Sequence, residues 1–420
     1  MSTHAKLLLR HQRPFLAFWF ARVFTSSAFQ MITVAIGWHI YGLTGNVLDL
    51  GLVGLFEFMP RVLFMLHTGH VADRYDRRKV AALCQTLQGL TALALVIGSA
   101  TDSVTREMIF AIAFLFGTAR AFEMPTTQAL LPNIIPPALF PAAVAASGSA
   151  MQAATIIAPA LGGLLFAFGS IWVYGPAVLL YGVAVALMLQ LPARQQPMKQ
   201  EKATLHSLLA GIRFIRSRRD VLGAISLDLF AVLLGGATAL LPVFARDILF
   251  TGPWGLGLLR SAPAVGALLM SFWLARFPVE RHVGRVMFTS VGLFGVATIA
   301  FGLSTSFWFS LAVLAVLGAA DMISVVIRST FVQMETPDEM RGRVSAVNGL
   351  FIGASNQLGE FESGLTAHWF GTVQAVVLGG VGTLLVTGAW IKLFPTLANR
   401  DRLREPKAEE HLQAGSPPNP

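Results

Sequence analysis

From Phe15 to Phe394 the chain alternates between apolar stretches and short links that carry charge, proline or glycine. Stretches such as "AALCQTLQGLTALALVIGSA" and "AVVLGGVGTLLVTGAWI" are continuously apolar. The strands of a membrane barrel read instead as segments of about ten residues with two-fold alternation. A helix needs about twenty apolar residues to cross the hydrocarbon core. Dividing the chain at its breaks predicts twelve helical spans, at 15–42, 48–69, 80–100, 107–131, 138–168, 171–191, 221–245, 255–276, 284–303, 307–334, 343–368 and 372–394. Helices satisfy every backbone N–H and C=O internally, as a medium without water requires. An even count puts both termini on one side.

Composition agrees with a membrane solvent. Hydrophobic residues make up 55% of the chain and charged ones 13%, about half the ~25% of soluble domains. With a mean hydropathy of +0.65, there is too little polar surface to cover a water-soluble globule. A net charge of +9 and a pI near 10.3 would suggest nucleic acid in a soluble protein. Here the basic residues sort by side instead. Of 31, 24 lie before Phe15, in 69–79, in 191–221, in 276–285, at 341–343 or from Lys392 onward, and the opposite links hold only Arg106 and Arg246. The positive-inside rule then puts both termini and the 192–220 link on the cytoplasmic side of a plasma membrane. The basic N-terminus runs into too long an apolar stretch for a signal peptide and is expected to stay as the first span. The single Cys84 excludes an intrachain disulfide.

The chain also repeats. At an offset of 203, Gly54 meets Gly257, Pro60 meets Pro263, Ala72 meets Ala275 and Arg78 meets Arg281; at 201, Gly117 meets Gly318 and Pro136 meets Pro337. Each match is weak alone. Their agreement, with six spans on either side, predicts two six-helix halves at 1–191 and 221–394, the parallel repeats of many secondary transporters. Between them, Leu205, Leu208, Leu209, Ile212 and Ile215 recur at helical spacing beside Arg213, Arg216, Arg218 and Arg219. This predicts an amphipathic helix at the membrane surface within 192–220. The polar, proline-rich tail 395–420 is expected to be disordered.

The densest charge lies in "GHVADRYDRRK", Gly69–Lys79, after the second span. Topology accounts for its four cations but not for Asp73, which ends an apolar run. Gly69, Ala72, Asp73, Arg74, Arg77, Arg78 and Lys79 resemble the loop signature of the major facilitator superfamily, with Asp76 where the general signature has Gly. "SLLAGIRFI" and "ETPDEMRGRVSAVNGL" are similar to the branch containing the enterobactin exporter and macrolide efflux proteins, and the resemblance covers nearly the whole chain. It implies an all-α membrane protein of twelve helices in two pseudo-symmetric halves. It also implies that Asp73, with Arg74 or Arg78, latches the cytoplasmic side of the outward-open state against the start of the eleventh span. Ala158, Pro159, Gly162 and Gly163 in "TIIAPALGG" resemble the Gly-Pro-x-x-Gly-Gly antiporter motif, with Ala for its first Gly. Tight helix packing with a proline bend is the plainer account of the same residues.

Charges inside the spans need reasons, because each costs at least ~2.5–3.5 kcal/mol near the bilayer centre. Glu57 and Arg61 lie i, i+4, and Arg120 and Glu123 lie i, i+3, so each pair shares a helix face. Arg22, Asp228, Asp321, Arg328, Glu360 and Glu362 are further charges within the spans. A carboxylate that gains and loses an Arg neighbour can release and bind a proton. Arg120 stands where antiporter relatives often carry an Arg, which makes Arg120–Glu123 the first choice. Glu360 and Glu362, without a basic neighbour in sequence, come next as proton carriers or contacts for a cationic substrate. Static ion pairing is the alternative for both Arg pairs. His67 and His70 lack the third ligand of a metal site, and Gly is never followed by Lys, so there is no ATP-binding loop of the Walker type.

A secondary active, proton-coupled exporter of a siderophore or drug-like small molecule is therefore expected, neither an enzyme nor cofactor-dependent. Its partners would be substrate, protons and the lipid bilayer, not nucleic acid, and the chain would act as a monomer. A lysolipid or metabolite transporter of the same fold, uptake rather than export, and a non-transporting receptor stay open.

Overall fold

The computed structural model describes Leu9, residues 11–192 and residues 205–403, apart from the side chains of Leu66, Ala72, Asp73 and 205–208. Among the described residues there is no strand. The N-terminal half holds α1 (Arg13–Thr44), α2 (Val47–Leu63), α3 (Met65–Arg74), α4 (Arg77–Ala100), α5 (Arg106–Ile134), α6 (Phe140–Phe166) and α7 (Ile171–Leu189). After α8 (Leu205–Ser217) come α9 (Arg219–Leu234), α10 (Gly252–Arg276), α11 (Val283–Gly302), α12 (Phe307–Glu335), α13 (Asp338–Phe370), α14 (Thr372–Leu393) and the short α15 (Pro395–Ala398).

Local chemistry sets the boundaries. Gly45, at φ 59°, ends α1 in the left-handed conformation that glycine adopts without strain. The Asn46, Asp76 and Thr105 side chains each accept a backbone N–H from the first turn of the helix they precede. The cap at Asp76 corrects the expected link: "GHVADR" is helical, and only Tyr75 and Asp76 separate α3 from α4. The second span is also broken at Phe64, one turn after Pro60, whose missing N–H leaves that turn short of a bond. The seventh span is not continuous over 221–245. α9 stops at Leu234 before Gly235–Gly236, and the chain continues as a 3-10 turn, Ala237–Leu240, and a π turn, Phe244–Ile248. The eleventh starts five residues earlier than expected, because Pro337 precedes α13 and Asp338 and Glu339 favour its first turn.

Among the described residues ten helical segments, with Arg219–Ile248 taken as one, are long and apolar enough to cross a membrane. α2 and α13 fall short. Pro60 and Phe64 cut the first, and the acidic and basic residues along the second dilute it. These two helices pack on each other where the halves meet, as α6 and α10 also do.

The halves close at one end and part at the other. A Cβ on Gly163 of α6 would lie 2.3 Å from the Pro253 carbonyl oxygen and 2.8 Å from Gly257 Cα of α10. A Cβ on Gly364 of α13 would lie 2.8 Å from Gly51 Cα of α2. Both contacts lie toward the end holding the 45–46 and 371 links. Tyr41 of α1 donates there to Asp247 of the π turn. Toward the basic end, which holds the 75–76 and 277–282 links, Gly148 on α6 and Gly342 and Gly349 on α13 would meet nothing within 4 Å.

One expectation about that end changes. α8 forms where expected and packs on α13: a Cβ on Gly211 would touch the Arg343 carbonyl at 2.9 Å, and Ile215 is buried with Val221, Val344 and Val347. The tail is ordered through residue 403. Arg400 reaches Glu335 at 2.5 Å and Asp220 at 3.6 Å, and its carbonyl accepts from Gly284 N. Residues 404–420 lie outside the described set.

Candidate functional site

α2 and α13 run antiparallel, and successive turns meet one another. Nearest the closed end, Gly51 faces Gly364. One turn on, Gly54 leaves room for Glu360: a Cβ there would sit 2.9 Å from the carboxylate oxygen. Next, Gln357 Nε2 donates to Glu57 Oε1 at 3.4 Å. Arg61 lies 3.7 Å from Glu57 and faces Gly353. Arg260 of α10 stands 4.0 Å from Glu360. Two carboxylates, two guanidiniums and an amide thus form one string at the seam between the halves. A Cβ on Gly117 of α5 would strike the Glu57 carbonyl, so only glycine lets α5 close against α2.

Arg260 is missing from the charges singled out in the sequence. It lies 203 residues after Glu57, the repeat's own offset, so the corresponding position carries the opposite charge in the other half. A lone cation inside "GLGLLRSAPAV", matched to Glu57 by the repeat, was the available signal. No local pattern pointed to Gln357.

Arg120 and Glu123 do not pair. Among the described residues no ion pair joins them, although they share a helix face. Buried Glu123 accepts from Gln85 at 3.1 Å and Gln88 at 2.8 Å on α4. The Arg120 guanidinium lies 3.6 Å over the Phe29 ring of α1, where the π face attracts a cation. Arg22 and Arg120 still place positive charge near Glu123. Glu123 lies inside the N-terminal half, while the Arg120 charge is close enough to act on Arg61 of the seam.

In the other half, buried Asp228 and Arg328 form an ion pair between α9 and α12. Asp321 shares a small cavity with Asp228 and Ser324. Glu362 accepts from Thr366 at 2.7 Å on its own helix. The structure therefore brings Glu57, Arg61 and Glu360 together and leaves Glu123, Asp228, Asp321 and Glu362 elsewhere. Among the described residues no group of three potential ligands could hold a metal ion.

At the basic end, Gly69 and Asp73 lie in α3, and Arg74 is exposed at its end; the Asp73 side chain lies outside the described set. Arg77 donates to the Ala129 carbonyl at 3.0 Å. Arg78 is held by Asp76 at 2.7 Å and by the Leu191 carbonyl. Asp76 thus caps α4 and pairs with Arg78, whose hydrogen bonds hold its carboxyl below the usual carboxylate range.

On α6, Ala158 and Pro159 are buried, and the two glycines serve different neighbours. A Cβ on Gly162 would meet the Met31 backbone of α1 at 2.8 Å, while Gly163 abuts Gly257 of the other half. The motif thus packs against a neighbour on each of two faces of one helix.

A family model described as "Transmembrane secretion effector" matches residues 3–415. The enterobactin exporter EntS of Citrobacter koseri is 26% identical over 380 residues, covering 90% of this chain and 87% of that protein. The Escherichia coli O1:K1 protein of that name is 25% identical over the same extent. Among solved structures, a bacterial homologue of the human lysosomal transporter Spinster, inward-facing and occupied, superposes with a TM-score of 0.71 at 14% identity, covering 94% of this chain and 99% of that one. An inward-facing bacterial homologue of the iron transporter ferroportin gives 0.70 at 17%, covering 91% and 98%.

Proposed function

We propose that this chain, which belongs to the transmembrane secretion effector family within the major facilitator superfamily, exports a small organic molecule in exchange for protons. A transmembrane transporter rather than an enzyme is what the family establishes. The direction and the siderophore-like or drug-like substrate are supported by the likeness to proteins named as enterobactin exporters.

One observation carries the mechanism: the Glu57–Arg61–Gln357–Glu360–Arg260 string lies at the seam of halves that are closed at one end and parted at the other. Rocking the halves changes the separation of Glu360, in the C-terminal half, from Arg61, whose charge reaches it from the N-terminal half. A carboxylate beside an Arg holds its charge, and one left without it in an apolar site binds a proton. Proton binding at Glu360 then follows the conformational change. Glu123, screened by Gln85 and Gln88, is the rival carrier, and Asp228, Asp321 and Glu362 follow it. The reading makes 1–191 and 221–394 the two moving halves and has the chain work as a monomer. Asp73 with the 74–78 arginines is the latch of the opposite state, and Ala158–Gly163 carries the α6–α10 contact that breaks when the closed end opens.

The basic end would face the cytoplasm, as the distribution of basic residues favours. Reporter fusions at the C-terminus and at Ser103 test this: an active cytoplasmic reporter is expected only at the first. The function itself is tested in proteoliposomes, by flux of a catecholate siderophore and of cationic dyes with and without an imposed pH gradient. Flux that ignores the gradient would remove proton coupling, and no flux of any probe would favour a receptor.

A further inference from the structure

A cavity opens on the outside of the N-terminal half. It lies among α3, α4 and α5, with a volume near 510 Å³. Val71, Leu83, Cys84, Leu87 and Phe122 supply an almost wholly apolar wall, and Lys79 stands at the end nearest the basic links. Tyr75 and Leu83 are exposed at the rim. α4 packs on α5 and α7, which turns the Leu83 face toward the bilayer. From Lys79 to Leu87 the wall follows α4 for about 12 Å, at 1.5 Å per residue.

We propose that this cavity holds an acyl chain of an anionic phospholipid whose headgroup lies on Lys79. An apolar void lacks the partners an ordered water needs, and at a bilayer surface the material at hand is lipid hydrocarbon. Charge selects the headgroup. Arg78 is committed to Asp76, but Lys79 is exposed and among the described residues has no carboxylate within ion-pair distance. It lies at the end where most of the basic residues gather, and basic pockets between helices on such a surface bind anionic headgroups. The chain would wedge α3 against α4 and α5, bracing the segment that carries the Tyr75–Asp76 turn. This proposal stands apart from any choice of transported substrate.

Cys84 lines the cavity and is the only cysteine of the chain, so its modification by N-ethylmaleimide reports occupancy. The intact protein is placed in vesicles of phosphatidylglycerol or phosphatidylcholine, and lipid retained after detergent extraction is counted by native mass spectrometry. Retained phosphatidylglycerol, and several-fold slower labelling of Cys84 than in phosphatidylcholine, are expected. Lys79→Gln should weaken phosphatidylglycerol retention about fivefold, the effect of one cation near a charged surface. Thr118→Phe fills the cavity from α5 and should abolish both retention and protection; Leu87→Phe fills it from α4 and repeats the test if the first variant folds poorly. Equal retention of both lipids, or Lys79→Gln behaving as wild type, would overturn the anionic headgroup. Retention undiminished in both filled variants would overturn the cavity as the site.

Discussion

Gly163→Ala should shift the balance between the two conformations of the transporter. The added methyl would lie 2.3 Å from the Pro253 carbonyl and 2.8 Å from Gly257 Cα and N. Ordinary contact begins at 3.4 Å, so α6 and α10 must separate by about 1 Å at the closed end. All three obstacles are backbone, and none can rotate away. Overpacking of this kind costs about 1–3 kcal/mol, which is roughly a 5- to 150-fold bias against the state closed at this end. The state open at this end contains no such contact and is left unpenalised. The assay is the distance between spin labels at Ser103→Cys and Thr305→Cys, two exposed positions in links at the closed end, in a Cys84→Ser background. Gly163→Ala should populate a longer distance. Gly148→Ala, on the same helix with nothing within 4 Å, should leave the distribution unchanged. An unaltered distribution in Gly163→Ala would refute the claim that this contact holds the end closed.

Asp228→Ala strands Arg328 in a buried site, and losing one partner of such a pair costs about 3–5 kcal/mol. A clear loss of melting temperature is expected, and Asp228→Ala combined with Arg328→Met should recover part of it; no loss in the single variant would make the pair dispensable. Asp73→Asn should lower transport at unchanged protein level, because an amide cannot hold the latch, and wild-type flux would reduce Asp73 to a residue of topology.

Much of the fold was legible because hydrocarbon leaves a chain few choices. Continuous apolar runs read directly as spans. Breaks were harder. Phe64 and Gly235–Gly236 interrupt helices whose apolar pattern runs on, since hydropathy does not record a missing backbone bond. The short 75–76 link was hidden because charged "ADR" looks like a loop, whereas the Asp76 cap makes it a helix end. The site was only partly legible. Glu57 and Arg61 share a face, and i, i+4 spacing is enough to see it. Arg120 and Glu123 share one too, yet Gln85, Gln88 and Phe29 from other helices offer better partners, which spacing within one helix cannot reveal. Arg260 and Gln357 meet Glu360 and Glu57 through packing between helices, and only the repeat gave a hint of the first.

The most direct test of the central claim is gradient-driven export by Glu360→Gln in proteoliposomes, with Glu123→Gln in parallel and substrate binding measured in detergent. Glutamine keeps the size and removes the titrating group. Glu360→Gln should bind substrate, lose export driven by the pH gradient and keep exchange at equal pH, while Glu123→Gln retains driven export. Normal gradient-driven export by Glu360→Gln, at matched protein level, would contradict the account and move the proton away from the seam.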